Sequence, residues 1–275
     1  MPTIRPEGAS PSGNEPHQQR DLAEAFGTEA ERYDRTRPRY PTAMVERIAG
    51  AAPGPDVLDV GCGTGIASRQ FQAAGCRVLG VDADARMAGL ARRYGLEAEV
   101  AAFEDWDPAG RTFDAVVAGQ TWHWVDPAAG AARAATVLRP GGRLAVFWNV
   151  DQPPPELAAA FFDVYQRVLP DSPVSVRWKA VGPDAYAALC ARAADGMRAA
   201  GAFGEPEEWR FDWERTYTRD EWLDQLMTHG GHIALPAATR EELVAGIGAA
   251  IDAVGGDFTM RYTAVVVTAA RTGTA

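Results

Sequence analysis

Cysteine is scarce in this 275-residue chain: Cys62, Cys76 and Cys190 are odd in number and far apart, which excludes a disulfide framework. Histidine is nearly as scarce, with only His17, His123, His229 and His232. The last two stand three apart without a cysteine or carboxylate set beside them, so no metal is expected. Basic charge is in deficit, Lys+Arg 27 against Asp+Glu 37 for a net −10, which opposes binding to nucleic-acid backbones or anionic membranes. No stretch approaches 18 uncharged apolar residues. The first twenty residues, with Glu7, Glu15 and Arg20 among Pro, Ser and Gly, lack the apolar segment of a signal peptide, so a cytoplasmic chain without a membrane span is expected. What is present is ordinary globular composition, 47% hydrophobic and 23% charged, in a length that suits one large domain or two small ones.

Residues 1–20 read as a disordered tail, and 21–275 as one domain. From Asp56 to about Trp148 short apolar runs alternate with helical patterns, the signature of βα units around a parallel sheet. The runs are Val57 to Val60, Arg77 to Asp82, Glu99 to Phe103, Phe113 to Ala118 and Arg143 to Trp148. Asp84 and Asp126, the latter followed by Pro127, are placed as helix N-caps, and Thr218 with Glu221 forms a capping box. Past Asn149 the alternation stops. Helices are expected over Leu157 to Val168, Asp184 to Ala200, after Thr218 and over Arg240 to Val254, with closing strands at Trp209 to Tyr217 and Met260 to Thr268. The expected fold is α/β: a Rossmann-like, seven-stranded, mostly parallel sheet with helices on both faces and residues 150–205 as a helical cover over its functional edge.

The most informative segment is Val57-Leu58-Asp59-Val60-Gly61-Cys62-Gly63-Thr64-Gly65, a strand, a glycine-rich turn and a helix start. Such a turn lies at the carboxyl edge of the sheet, where open α/β folds bind ligands, and glycine lets a ligand approach the backbone. Asp82, closing the next strand, comes 21 positions after Gly61, the separation at which a carboxylate can accept both hydroxyls of a ribose. Together these imply an adenosine-type ligand. The spacing G-x-G-x-G brings the third glycine one residue earlier than in the dinucleotide fingerprint, which weakens an NAD(P)-dependent oxidoreductase as the reading. His123, between Trp122 and Trp124 on a loop leaving the same edge, is either a general base, a donor to a nucleophile, or a packed histidine.

Asp59-Val60-Gly61-Cys62-Gly63-Thr64-Gly65 resembles motif I of the class I S-adenosylmethionine (SAM)-dependent methyltransferases. Asp82-Ala83-Asp84 with Met87 resembles their second motif, in which the acid holds the ribose and the methionine packs on adenine. Phe103-Glu104-Asp105 resembles the third-strand end beside the adenine, and Leu138 to Gly142 the turn into the fifth strand. The resemblance covers about residues 22–149. Within the superfamily, the segment from Phe26 through Tyr33 and Arg37 to Pro41, and that from Gln120 to Asp126, are similar to a small-molecule subgroup that includes trans-aconitate methyltransferase-like proteins.

The resemblance implies SAM as cofactor, held by Asp59, Gly61, Gly63, Gly65, Asp82, Ala83, Met87, Phe103 and Glu104, with Tyr33 and Arg37 in a lid and Gly119 and Gln120 facing the methyl donor. His123 is the catalytic candidate. Tyr40, Trp122, Trp124, Trp148 and Arg177 are expected at the acceptor, a small molecule with a carboxylate or hydroxyl oxygen, where Arg37, Arg39 or Arg177 would orient an acid. A SAM-binding module without catalysis is the reading from another class.

Overall fold

A computed structural model describes residues 29–170, 186–229, 232 and 235–273; the expected tail and Arg177 lie outside them. Each apolar run falls on a strand, the third only at Glu99 and Val100. β1 (Asp56–Val60), β2 (Arg77–Asp82), β3 (Glu97–Val100), β4 (Phe113–Gly119) and β5 (Leu138–Gln152) run parallel. β6 (Glu207–Thr218) and β7 (Asp257–Ala270) complete a seven-stranded sheet in the order β3-β2-β1-β4-β5-β7-β6, with β7 antiparallel to both neighbours.

The described helices are α1 (Ala30–Thr36), α2 (Thr42–Ala51), α3 (Ile66–Ala73), α4 (Ala85–Arg93), α5 (Pro127–Val137), α6 (Pro155–Val168), α7 (Ala187–Ala199), α8 (Arg219–Leu226) and α9 (Ala237–Asp252). Helices on both faces explain why β1, β2, β4 and the middle of β5 are buried almost residue by residue. In β4, Ala115 and Val117 pack in one layer with Ile48 of α2 and Phe71 of α3. Val116 and Ala118 point the opposite way, to Ala131 and Ala134 of α5 and Met197 of α7, as the period of two requires. The local signals are in place: Asp84 and Asp126 cap α4 and α5, and Thr218 and Glu221 make both bonds of a capping box on α8. Among the described residues no helix is long and apolar enough to cross a membrane.

A third core lies beyond the sheet. β5 continues past the end of β4, and with β6 and β7 it carries Tyr217, Phe258, Met260 and Tyr262 into contact with Phe161 and Tyr165 of α6, Trp222 of α8 and Ile247 of α9. Among the described residues of the span 150–205 expected as a cover, α6 belongs to this cap, joined by α8 and α9 from later in the chain. α7 instead packs against α5 on a sheet face, because Cys190, Ala193 and Met197 make a stripe of small and apolar side chains toward that layer. Two strand limits also differ. β3 stops at Val100, which frees Ala101 to Phe103 for the ligand edge. β5 begins at Leu138, directly after α5, and Arg139 to Gly142 form an irregularity where the register with β4 shifts between Phe113 and Ala115.

Candidate active site

The turn after β1 is built by three glycines with positive φ, Gly61 at 63°, Gly63 at 55° and Gly65 at 84°. The Gly61 and Cys62 N–H groups donate to the Val81 carbonyl at 2.8 and 3.2 Å, which seats the turn on β2. A Cβ on Gly61 would stand 2.2 Å from Thr121 Oγ1, so only glycine lets the β4 loop come so near. Gly63 N–H donates to Asp82 Oδ2 and Asp84 N–H to Asp82 Oδ1, both at 2.8 Å, fixing the carboxylate at the end of β2. Burial pushes the Asp82 carboxyl up to about 6, with those N–H donors acting the other way. Asp59, one strand over and bonded by the Ser68 hydroxyl, is driven by burial to about 7, and the charge of Asp82 adds to the rise.

These elements open into a cavity of about 510 Å³ at the carboxyl edge of the sheet. Gly61, Gly63, Asp82, Ala83 and Met87 line one part, with Phe103 and Glu104 beside them. Gly119, Gln120, His123 and Trp124 line it after β4, and Tyr33 and Arg37 from the N-terminal segment. A smaller pocket of about 70 Å³ shares Tyr33, Arg37, Gly61, Gly63, Gly119 and Gln120 with it and adds Tyr40 and Asp59. Tyr40 packs edge-on against Phe147, with its hydroxyl beside Gly119, so it stands at the glycine turn rather than under the cap. Gln120 holds a left-handed φ of 58°, a backbone cost of about 1–3 kcal/mol, while its N–H donates to the Phe147 carbonyl at 2.8 Å.

Arg37 connects the two ends of this space. Its guanidinium lies 4.6 Å over the Tyr33 ring, and Nη2 donates to the Thr228 carbonyl at 2.9 Å, while buried Nε has no partner among the described residues. Arg39 does not reach the cavity; it turns back to Asp34.

Three expected site residues stand elsewhere. Gly65 is the N-cap of α3, and its missing Cβ makes room for Leu96 and Ala91, so it serves packing behind the turn. Trp122 is 2% exposed and packs in the core with Phe103 and Val125. Trp148, 1% exposed, shares the even-numbered face of β5 with Leu144 and Val146, so strand alternation turns its ring into the core, away from the acceptor. Its indole N–H donates to His123 Nδ1 at 3.3 Å. Burial lowers the His123 imidazole to about 4. Asn149, next along β5, faces the other way and lines the cavity, holding the Arg39 carbonyl and the Trp213 indole N–H.

From the cap come Gln225, His229 and Tyr262, with Asp151 at the end of β5 and Tyr186 before α7. No sequence motif marked them. Asn149 and Asp151 could have been found from the rule that carboxyl strand ends bind ligands. His232, by contrast, is turned to the Tyr165 hydroxyl at 2.7 Å. Among the described residues no three His, Cys, Asp or Glu side chains group as a metal site.

The methyltransferase domain family matches residues 58–146. An uncharacterized methyltransferase of Mycobacterium tuberculosis is 38% identical over 133 residues, 47% of this chain and 54% of that protein. A ubiquinone biosynthesis O-methyltransferase of Aromatoleum aromaticum is 36% identical over 108 residues, 36% of this chain and 46% of that protein. The chain thus spans about half the length of the curated relatives it matches. A solved structure from Anaeromyxobacter dehalogenans, described as a candidate type II methyltransferase, superposes with a TM-score of 0.61 at 25% identity over 84% of this chain and 97% of that one. The glycine turn, the acid at the end of β2 and the sheet order agree with these matches: residues 58–146 match a methyltransferase domain, and the fold around them is that of the solved methyltransferase structure.

Proposed function

We propose that the protein is an enzyme that transfers a methyl group from SAM to a small-molecule acceptor with a carboxylate or hydroxyl oxygen. The observation that carries this reading is the division of one cavity into two chemically different parts. The part beside β1 and β2 fits an adenosine: Asp82 presents a fixed carboxylate to ribose hydroxyls, Met87 and Phe103 give apolar contact, and Gly61 and Gly63 offer backbone bare of side chains. The part between Trp124, His123 and the cap, with Gln225, His229 and Tyr262, is left for the acceptor. A volume of about 510 Å³ lies within the range of small-molecule sites, which run to roughly 300–1,000 Å³.

When bound, SAM supplies a sulfonium methyl carbon, to which the acceptor's lone pair bonds as the carbon–sulfur bond breaks and its electron pair stays on sulfur. Such a displacement needs alignment and dryness above all. Gly61 and Asp82 fix the donor side. The cap and the N-terminal segment, joined by Arg37, cover the acceptor side and exclude water. Arg37, whose Nε has no partner among the described residues, offers a cation to a carboxylate of the donor or of the acceptor. The ubiquinone biosynthesis O-methyltransferase among the relatives accords with an oxygen acceptor.

Calorimetric titration with S-adenosylhomocysteine and, separately, with NAD tests the cofactor. Binding of the first and none of the second is expected; the reverse would replace a methyltransferase by an oxidoreductase. Incubation with methyl-labelled SAM and a metabolite extract, followed by mass spectrometry, then tests catalysis. Donor bound without any labelled product would make the protein a SAM-binding module.

A further inference from the structure

His123 lies between two spaces. One side of the ring lines the large cavity, and the other a void of about 10 Å³ shared with Trp148, Leu189 and Arg192. From that second side the Trp148 indole N–H meets Nδ1 at 3.3 Å. An indole nitrogen can only donate. Nδ1 must therefore hold a lone pair, and the one ring proton of the neutral imidazole sits on Nε2. Protonating Nδ1 would set two N–H groups against each other. Trp148 cannot swing away, because its ring is 1% exposed and wedged on the face of β5 that carries Leu144 and Val146.

We propose that Trp148 is a positioning residue that locks His123 as a neutral Nε2–H donor, and that the acceptor is an oxyanion, a carboxylate or an ionised phenol or enol, whose oxygen takes that hydrogen bond. The proposal rests on the methyl-transfer reading for its second half only. An imidazole already protonated at Nε2, and barred from protonation at Nδ1, cannot receive a proton from the nucleophile. An oxyanion has none to give: its lone pair forms the carbon–oxygen bond, the carbon–sulfur pair departs to sulfur, and the two charges cancel in a neutral ester or ether and a neutral thioether. The titratable and charged groups that line these two spaces with His123 are Arg192 from α7 on the void side, and Tyr33, Arg37, Asp82, Asp84, Glu104, Asp151, Tyr186, His229 and Tyr262 around the cavity. Burial is the cause that holds the imidazole below its ordinary range, in the same direction as the lock.

The lock is read without substrate, by long-range ¹H–¹⁵N NMR on the full chain labelled at histidine, titrated from pH 5 to 8, with the His123 signals assigned by their loss in His123→Gln. The wild type should show the Nε2–H tautomer with no titration in that range. In Trp148→Phe the Nδ1–H tautomer should become populated and the apparent pKa should rise by about one unit or more. A wild-type His123 that carries its proton on Nδ1 or titrates near 6.5 overturns the lock, and this result stands even if Trp148→Phe fails to fold. A folded Trp148→Phe with unchanged tautomer overturns it too.

Methyl-labelled SAM offered with separate panels of carboxylic acids, nitrophenols, aliphatic alcohols and amines reads the acceptor class. Label is expected on acids or nitrophenols, and which panel takes it tells carboxylate from phenolate. Label on alcohols or amines, or on no panel at all while S-adenosylhomocysteine binds, overturns the class. Absence of S-adenosylhomocysteine binding would instead remove the methyl-transfer reading and leave the lock to the NMR result.

Discussion

Asp82 accepts one backbone N–H on each carboxylate oxygen, from Gly63 and Asp84, and each oxygen keeps a further lone pair toward the cavity. Replacing it by Asn leaves one acceptor and sets an NH₂ against a backbone N–H. Affinity for S-adenosylhomocysteine should fall about 10- to 100-fold, as losing hydrogen bonds to a charged group implies. Wild-type affinity should also weaken as pH drops through about 6, where the carboxylate protonates, while Asp82→Asn shows no such slope. Titration calorimetry at pH 5 and 8 decides, and a loss under about threefold would mean that the ribose is not held there.

Asp59 provides a second, ligand-free reading. Its folded pKa of about 7 lies above the usual carboxyl value, so the folded chain keeps a proton that the unfolded chain has released. The stability it contributes is full below about pH 4 and is lost as pH rises through about 7. Asp59→Asn escapes that loss and still accepts from Ser68. Its urea midpoint should gain on the wild type from pH 5 to 8, and a constant difference would place the Asp59 carboxyl in its ordinary range. Both aspartates were legible because motif and structure coincide within one strand–turn–helix–strand unit. Gln225, His229 and Tyr262 were not, since they reach the same cavity only through packing of the cap, which leaves no local signal.

At the scale of elements, apolar runs and caps were readable because they act over a few residues, as the capping box of α8 and the Pro127 start of α5 show. Partner choice was not. The alanine-rich pattern of 187–199 announces a helix but leaves open whether it covers the cavity or the sheet, and the answer depends on close packing against a distant element. Gly196 is where α7 meets α5 most tightly: a Cβ there would stand 2.3 Å from the Pro127 carbonyl oxygen. Gly196→Ala must push the helices apart, and overpacking of this kind costs about 1–3 kcal/mol. Denaturant unfolding should show that loss, while S-adenosylhomocysteine affinity stays within about twofold, since neither helix carries the glycine turn or Asp82. An unchanged midpoint would mean that α7 sits further from α5 than the structure places it.

Across the whole molecule, the cavity is lined by two segments nearly two hundred residues apart in sequence. α1 reaches α8 through Arg32 and Arg35, which both bind Asp224, at 2.6 and 2.8 Å, and Arg37 adds its bond to the Thr228 carbonyl. On its other side α1 is tied to the glycine turn, where Asp34 accepts from Thr64 Oγ1 and Arg69. Ligand entry and release are expected to proceed by parting α1 from α8, without disturbing the sheet. The tie is weak by design of its surroundings: Arg32 and Asp224 are 31% and 32% exposed and Arg35 is 65% exposed, so solvent screens the pairs to about 0–1 kcal/mol. Asp224→Asn should leave the melting temperature nearly unchanged, yet raise amide exchange in residues 29–37 and 219–229 and speed S-adenosylhomocysteine release, each by up to about fivefold, the equivalent of 1 kcal/mol. Exchange mass spectrometry and a stopped-flow dissociation rate measure the two effects. Faster exchange without faster release would mean that the ligand leaves by another route, and neither effect would mean that the Arg37 bond and the Asp34 contacts hold α1 without the ion pairs.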